Sequence, residues 1–165
     1  MSKMNQGKIN HVWSMICSGV SIDRQTNNLS IFNVIDQIRV PKNGLVRAEG
    51  QSGKEGQLAV PISFNLLTLW ERPTSDTEER ASVEIRVVEP DKKVRKIASY
   101  ELTFASGIKR LRSISPWGGI RVSSSGLYDF KLFLKEDGQS IFREVGNVHL
   151  DIEILDESLG NHEKE

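Results

Sequence analysis

GLYDFKLFLKEDG, residues 126–138, sets Tyr128, Phe130, Leu132 and Leu134 against Asp129, Lys131 and Lys135, with Phe133 the one apolar residue on the polar side. Period two sends successive side chains to opposite faces of a strand, so this stretch predicts a strand with one buried face. Asp137-Gly138 ends it and predicts a tight type I′ hairpin to a partner over 139–145, because both residues tolerate positive φ. The same beat recurs along the chain. Ala81, Val83, Ile85 and Val87 alternate with Ser82, Glu84 and Arg86, and Val148, Leu150, Ile152 and Ile154 with His149, Asp151 and Glu153. Leu58, Val60, Ile62, Phe64 and Leu66 keep time around Pro61, which cannot donate to a ladder and marks an edge or a bulge.

Residues 11–22 and 29–38 are apolar on both faces and rich in Val and Ile, which predicts strands in the middle of a sheet, although periodicity alone also allows a helix over 29–38. Between them DRQTNN (23–28) is a polar hairpin loop. Residues 94–104 alternate cleanly only from Ala98, which predicts a bulge or register change near Ile97. Glu89-Pro90-Asp91-Lys92 carries Pro at the second position of a type I turn. Longer loops are expected at 47–57 and 71–80. Strands at short spacing without an amphipathic helix predict an all-β fold, an antiparallel β-sandwich of at least seven strands, with Tyr128, Phe130, Leu132, Leu150 and Ile152 between its sheets.

Composition sets the bounds. A chain of 165 residues, 38% hydrophobic and 27% charged, has the size and balance of one globular domain. Residues 11–155 are expected to form it, with a flexible arm over 1–10 and an acidic tail over 156–165. No apolar run approaches the ~20 residues of a membrane helix. The opening MSKMNQGKIN lacks the apolar core of a signal peptide, so the expected compartment is the cytoplasm. A single cysteine, Cys17, excludes a disulfide framework and a Cys-rich metal site.

Ser125-Gly126-Leu127-Tyr128-Asp129-Phe130 resembles the tyrosine corner of immunoglobulin-like domains, in which a Tyr hydroxyl ties the preceding loop to the start of a strand. The resemblance makes Gly126, Tyr128 and Phe130 fold-defining and implies an immunoglobulin-like or related sandwich. Phe130 stands where an antibody domain has its second Cys, so the disulfide is missing, and Trp13, Trp70 and Trp117 offer no counterpart of the core Trp. IDRQTNNLSIFNVIDQIRVP (22–41), taken with SGLYDFKLFLKEDG (125–138), resembles an uncharacterised family of small bacterial β-sandwich proteins. That resemblance implies a fold and no function.

Catalytic constellations are scarce. His11, His149 and His162 are far apart and no metal-ligand spacing exists, so neither a metal nor a cofactor is expected. Asp23, Asn27 and Asn28 share a loop, but as turn residues rather than a calcium run. Cys17 lies in an apolar strand as a buried thiol, and Ser123-Ser124-Ser125 is a turn, not a nucleophile elbow. Gly50–Gly56 lacks the G-K-[ST] ending of a phosphate loop. An enzyme is not expected; one with an unrecognised site is the third alternative.

Charge distribution is the remaining signal. The totals of 22 basic and 22 acidic residues cancel, yet Asp91–Arg121 holds eight basic residues (Lys92, Lys93, Arg95, Lys96, Lys109, Arg110, Arg112, Arg121) against two acidic ones. Lys109, Arg110 and Arg112, followed by Trp117, form the candidate interaction patch. Cations beside an aromatic fit a grip on phosphates with a base stacked, so single-stranded nucleic-acid binding through 92–121 is the alternative function. Solvent faces and edge protection account for the same cations. The expectation is therefore a non-enzymatic binding or assembly module, with a protein partner ahead of nucleic acid and no membrane.

Overall fold

A computed structural model of the chain describes residues 8–47 and 58–156. Its strands are β1 (Asn10–Ile22), β2 (Leu29–Val34), β3 (Gln37–Pro41), β4 (Val46–Arg47), β5 (Leu58–Val60), β6 (Phe64–Glu71), β7 (Glu79–Val88), β8 (Val94–Phe104), β9 (Arg110–Trp117), β10 (Ile120–Val122), β11 (Gly126–Glu136) and β12 (Arg143–Leu155). They make a five-stranded sheet in the order β3-β12-β11-β7-β8, a four-stranded sheet β2-β1-β6-β9 and a three-stranded sheet β10-β5-β4. Every pairing is antiparallel except β3 with β12. The molecule is an all-β sandwich, and no described helix is long and apolar enough to cross a membrane.

Alternation builds the core. Tyr128, Phe130, Leu132, Leu134, Leu150 and Ile152 are all 0% exposed, as their parity predicts. Tyr128 and Phe130 pack with Phe64, Leu66, Val87 and Leu150, and Leu132 and Leu134 with Trp70, Val83 and Phe104. Trp70 is thus a fully buried core tryptophan on the inner strand β6, a role its sequence context did not show. Ala98 pairs with Ile85 and Lys96 with Arg86, which leaves Ile97 as the extra residue of the expected bulge. At the β7–β8 turn Lys92 N donates to Glu89 O at 2.8 Å, with Lys92 at φ 67°.

Four expectations need correction. Residues 58–66 are not one strand: the chain breaks after Val60, and β5 and β6 belong to different sheets. Pro61 ends the ladder, Ile62 N turns back to Val60 O at 3.0 Å, and opposite the break Gly118-Gly119 separates β9 from β10. Residues 29–38 are not mid-sheet: β2 ends one sheet, β3 ends the other, and Ile35-Asp36 carries the chain between them. Phe32 and Val34 are accordingly exposed. The β11–β12 connection is not a type I′ turn, since Gly138 has φ 81° but Asp137 is not among the positive-φ residues, and the loop runs over 137–142. Finally, the arm expected over 1–10 is held at its end: Ile9 is 1% exposed, and the buried Glu136 carboxylate accepts Lys8 N and Ile9 N at 3.1 and 3.0 Å.

Candidate functional site

The expected patch divides between two faces. Along β9, Leu111, Ser113, Ser115 and Trp117 point one way and Arg110, Arg112, Ile114 and Pro116 the other. Trp117 pairs with Phe64, and its ring stacks on that core residue at 6.1 Å and 6° between planes. Arg112 pairs with Leu69 and Arg110 with Glu71, seven residues and about 23 Å from Trp117 along the strand. Lys109 precedes β9; its carbonyl accepts Arg72 N at 3.0 Å and its side chain is exposed. The structure therefore brings Arg110 and Arg112 together, and separates Trp117 from both. Counting parity from 110 to 117 is the sequence signal that separates them.

Trp117 lines a cavity of about 360 Å³ on the open side of the sandwich, between β8 and β10. Phe64, Phe130 and Ile97 share its apolar wall, and Arg95, Lys96 and Arg121 bring cations to it. These cations are engaged by the fold. Arg95 Nε pairs with Glu89 at 2.9 Å and its Nη2 donates to Arg121 O at 3.3 Å. Lys96 Nζ reaches Glu84 at 2.8 Å, and hydrogen bonds from Lys96 and Arg86 hold the Glu84 carboxyl below its ordinary range. Trp117 Nε1 is buried without a hydrogen-bond acceptor among the described residues.

Arg110 and Arg112 meet a second cavity. The β1–β2 hairpin leaves the sheet where Cys17 pairs with Asn65, yet its tip returns to the row of Arg112, whose Nη1 donates to Asn27 O at 2.9 Å. The hairpin therefore folds back over the outer face of β1, β6 and β9. Its bend is at Ser18, where Asn33, opposite in the register, adopts φ 48° and donates Nδ2 to Ser18 Oγ at 3.1 Å. The cover explains why Cys17 and Leu67, on the outward parity, are both 0% exposed. Burial also pushes the Cys17 thiol pKa up. Asp23 accepts Gln25 N and Thr26 N, both at 2.8 Å, which lowers its pKa and spends its carboxylate on the turn.

Among the described residues, no group of three His, Cys, Asp or Glu side chains stands ready to hold a metal. His11 Nε2 lies 2.6 Å from Ser14 Oγ, but the ring packs edge-on against Trp70 at 5.4 Å, and burial lowers its pKa. His149 is exposed beside Asp129 at 3.3 Å. Gly50–Gly56 and His162 lie outside the described residues. Sequence reasoning missed Trp13, Asn27 and Phe64, which take part only through the fold-back and cross-strand stacking.

No family model matches the chain, and no curated protein is significantly similar to it. Among solved structures, it is similar to the Pseudomonas fluorescens alkylpurine DNA glycosylase AlkC bound to DNA containing an abasic site analog, at 12% identity and TM-score 0.42, over 88% of this chain and 30% of that one. An immunoglobulin-like protein from Pseudomonas aeruginosa aligns at 12% identity and TM-score 0.30, over 90% and 98%. The CooA pilin subunit of enterotoxigenic Escherichia coli aligns at 8% and 0.32, over 86% and 99%. The chain spans under a third of the glycosylase chain, and at these values its architecture rests on its own sheets.

Proposed function

We propose that this chain is a non-catalytic binding module that takes a partner protein along β8 and into the Trp117 cleft. The observation that carries the proposal is the position of β8, which ends the five-stranded sheet with 11 residues and has the apolar cleft beside its first half. An extended segment adds main-chain hydrogen bonds to such an edge and seats alternate side chains in the adjoining pocket. The bulge at Ile97 and the cations Lys93, Arg95 and Lys96, each paired with a carboxylate of the fold, limit indiscriminate pairing there. The Tyr128 hydroxyl, which takes Ser123 N and gives its proton to Ser124 O, supports kinship with immunoglobulin-like sandwiches.

Two observations weigh against nucleic acid. The aromatic and the arginines of the expected patch face opposite ways, and the cations nearest Trp117 already have carboxylate partners.

The test has two arms. The intact protein is used for capture from its host at physiological salt, beside an Arg95→Glu/Lys96→Glu variant. A discrete protein retained by the first and lost by the second is the expected result; equal capture by both refutes the site. A labelled random single-stranded oligonucleotide is titrated by anisotropy in parallel, with no binding expected. Micromolar affinity with log K falling linearly in log salt, by about 0.7 per phosphate contacted, would replace the protein partner by nucleic acid.

A further inference from the structure

The cavity at the edge of β9, between the β1–β2 hairpin and the 103–108 segment, has a chemistry distinct from that of the Trp117 cleft. Its apolar walls include Trp13 and Leu69 from the sheet and Ile22 and Leu29 from the hairpin, with Arg110 and Arg112 beside them. Its volume of about 620 Å³ lies within the ≈ 300–1,000 Å³ of small-molecule sites. Arg110 shares its charge with Glu71 at 3.4 Å. Arg112 hydrogen-bonds only to neutral oxygens among the described residues, Asn27 O at 2.9 Å and Asn27 Oδ1 at 3.3 Å. Arg110 thus has a carboxylate partner and Arg112 has none among the described residues, at the side of a hydrocarbon-walled groove.

We infer that this groove binds a free amphipathic monocarboxylate, with its hydrocarbon chain against Trp13, Leu29 and Leu69 and its carboxylate on Arg112. A guanidinium presents parallel N–H groups at the spacing of the two carboxylate oxygens, a match that a lone carbonyl such as Asn27 O does not provide. The one guanidinium without a carboxylate partner matches a single carboxylate. The walls select an aliphatic or aromatic tail, because apolar area leaving water contributes roughly 25 cal/mol per Å².

Decanoate is the probe, titrated below its micellar concentration into the full chain and followed by calorimetry and tryptophan fluorescence. One saturable site is expected, weakened about tenfold or more in Arg112→Ala, since a hydrogen bond between charged partners is lost. Decanol, with the same chain and no charge, should bind at least about tenfold more weakly. Leu69→Glu should abolish binding, while Arg95→Glu in the other cleft should leave it unchanged and so separates this site from the proposed protein-binding one. The Arg112 side chain is at the surface, and a wild-type melting curve verifies that variant; should Leu69→Glu not fold, the Arg112 and decanol arms decide. Any of these results overturns the inference: no saturable response, equal affinity for decanol, Arg112→Ala binding like wild type, or capture by phosphatidylglycerol vesicles without a response to monomeric decanoate. A dimer that disperses in Leu69→Glu and ignores decanoate would assign the groove to a second copy of the chain instead.

Discussion

Replacing Arg72 by Met isolates the group that holds the 105–109 loop against the sandwich. Arg72 is 3% exposed and donates Nε to Ile108 O at 2.8 Å, Nη1 to Thr77 O at 2.6 Å and Nη2 to Ala105 O at 2.8 Å. Its guanidinium also lies 5.3 Å from the centre of the Phe104 ring, with Glu79 at 3.9 Å. Met keeps the apolar part of the side chain and removes all three donors together with the cation over Phe104. Hydrogen bonds from a charged donor contribute about 1.5–3 kcal/mol each when their partners stay dry. Here Ala105 and Ile108 are exposed, so water replaces part of what is lost and about 1 kcal/mol per bond is the appropriate share. The sum is about 3 kcal/mol, or a fall in Tm of about 6–12 °C for a domain of this size. Urea unfolding followed by tryptophan fluorescence should show the midpoint fall with m unchanged. Arg72→Lys should recover no more than about one bond's worth, because one ammonium cannot reach three divergent carbonyls. A loss below about 1 kcal/mol for Arg72→Met would refute the argument, since it would mean the three carbonyls hydrate freely.

Tyr128→Phe removes a hydroxyl bonded to Ser123 N, Ser124 N and Ser124 O at 3.0, 3.3 and 2.8 Å, and should cost about 1–2 kcal/mol in urea unfolding; an unchanged midpoint would show that these bonds contribute nothing to stability. Cys17, 0% exposed with its pKa raised by burial, should react slowly with a thiol reagent in the native protein and rapidly after denaturation. Fast native labelling would mean that the hairpin does not cover it. Burial depresses the folded pKa of His11 below the ordinary 6.5, so the unfolded chain takes up the proton first as pH falls. Stability should therefore decline as pH drops through 6.5, and level off below the folded pKa for this group. His11→Gln should flatten the change in urea midpoint between about pH 7.5 and 5.5, and an equally steep change in that variant would assign the titration elsewhere.

How much of the molecule could be read from its sequence follows from the range of the forces involved. Alternation is a property of two neighbouring residues, so Tyr128, Phe130, Leu132 and Leu150 announced their burial, and the missed beat at Ile97 announced its bulge, without reference to any other strand. Parity along β9 likewise held the evidence that Trp117 and Arg112 face apart. Which strands lie side by side is a different matter, because pairing joins residues that local pattern does not relate. The break at Pro61 looks like a bulge until β5 and β6 are seen in separate sheets, and Ile35-Asp36 looks like mid-strand until the chain crosses there. Arg112 meets Asn27 across 85 positions and Ile9 meets Glu136 across 127. Sequence alone thus determined an all-β chain, its buried faces and most of its turns, because these depend on steric alternation and backbone preference. Tertiary structure decided the sheet order, the folded-back hairpin, the burial of Arg72 and the division of the basic residues between two cavities, because each depends on contacts formed only after distant segments have packed.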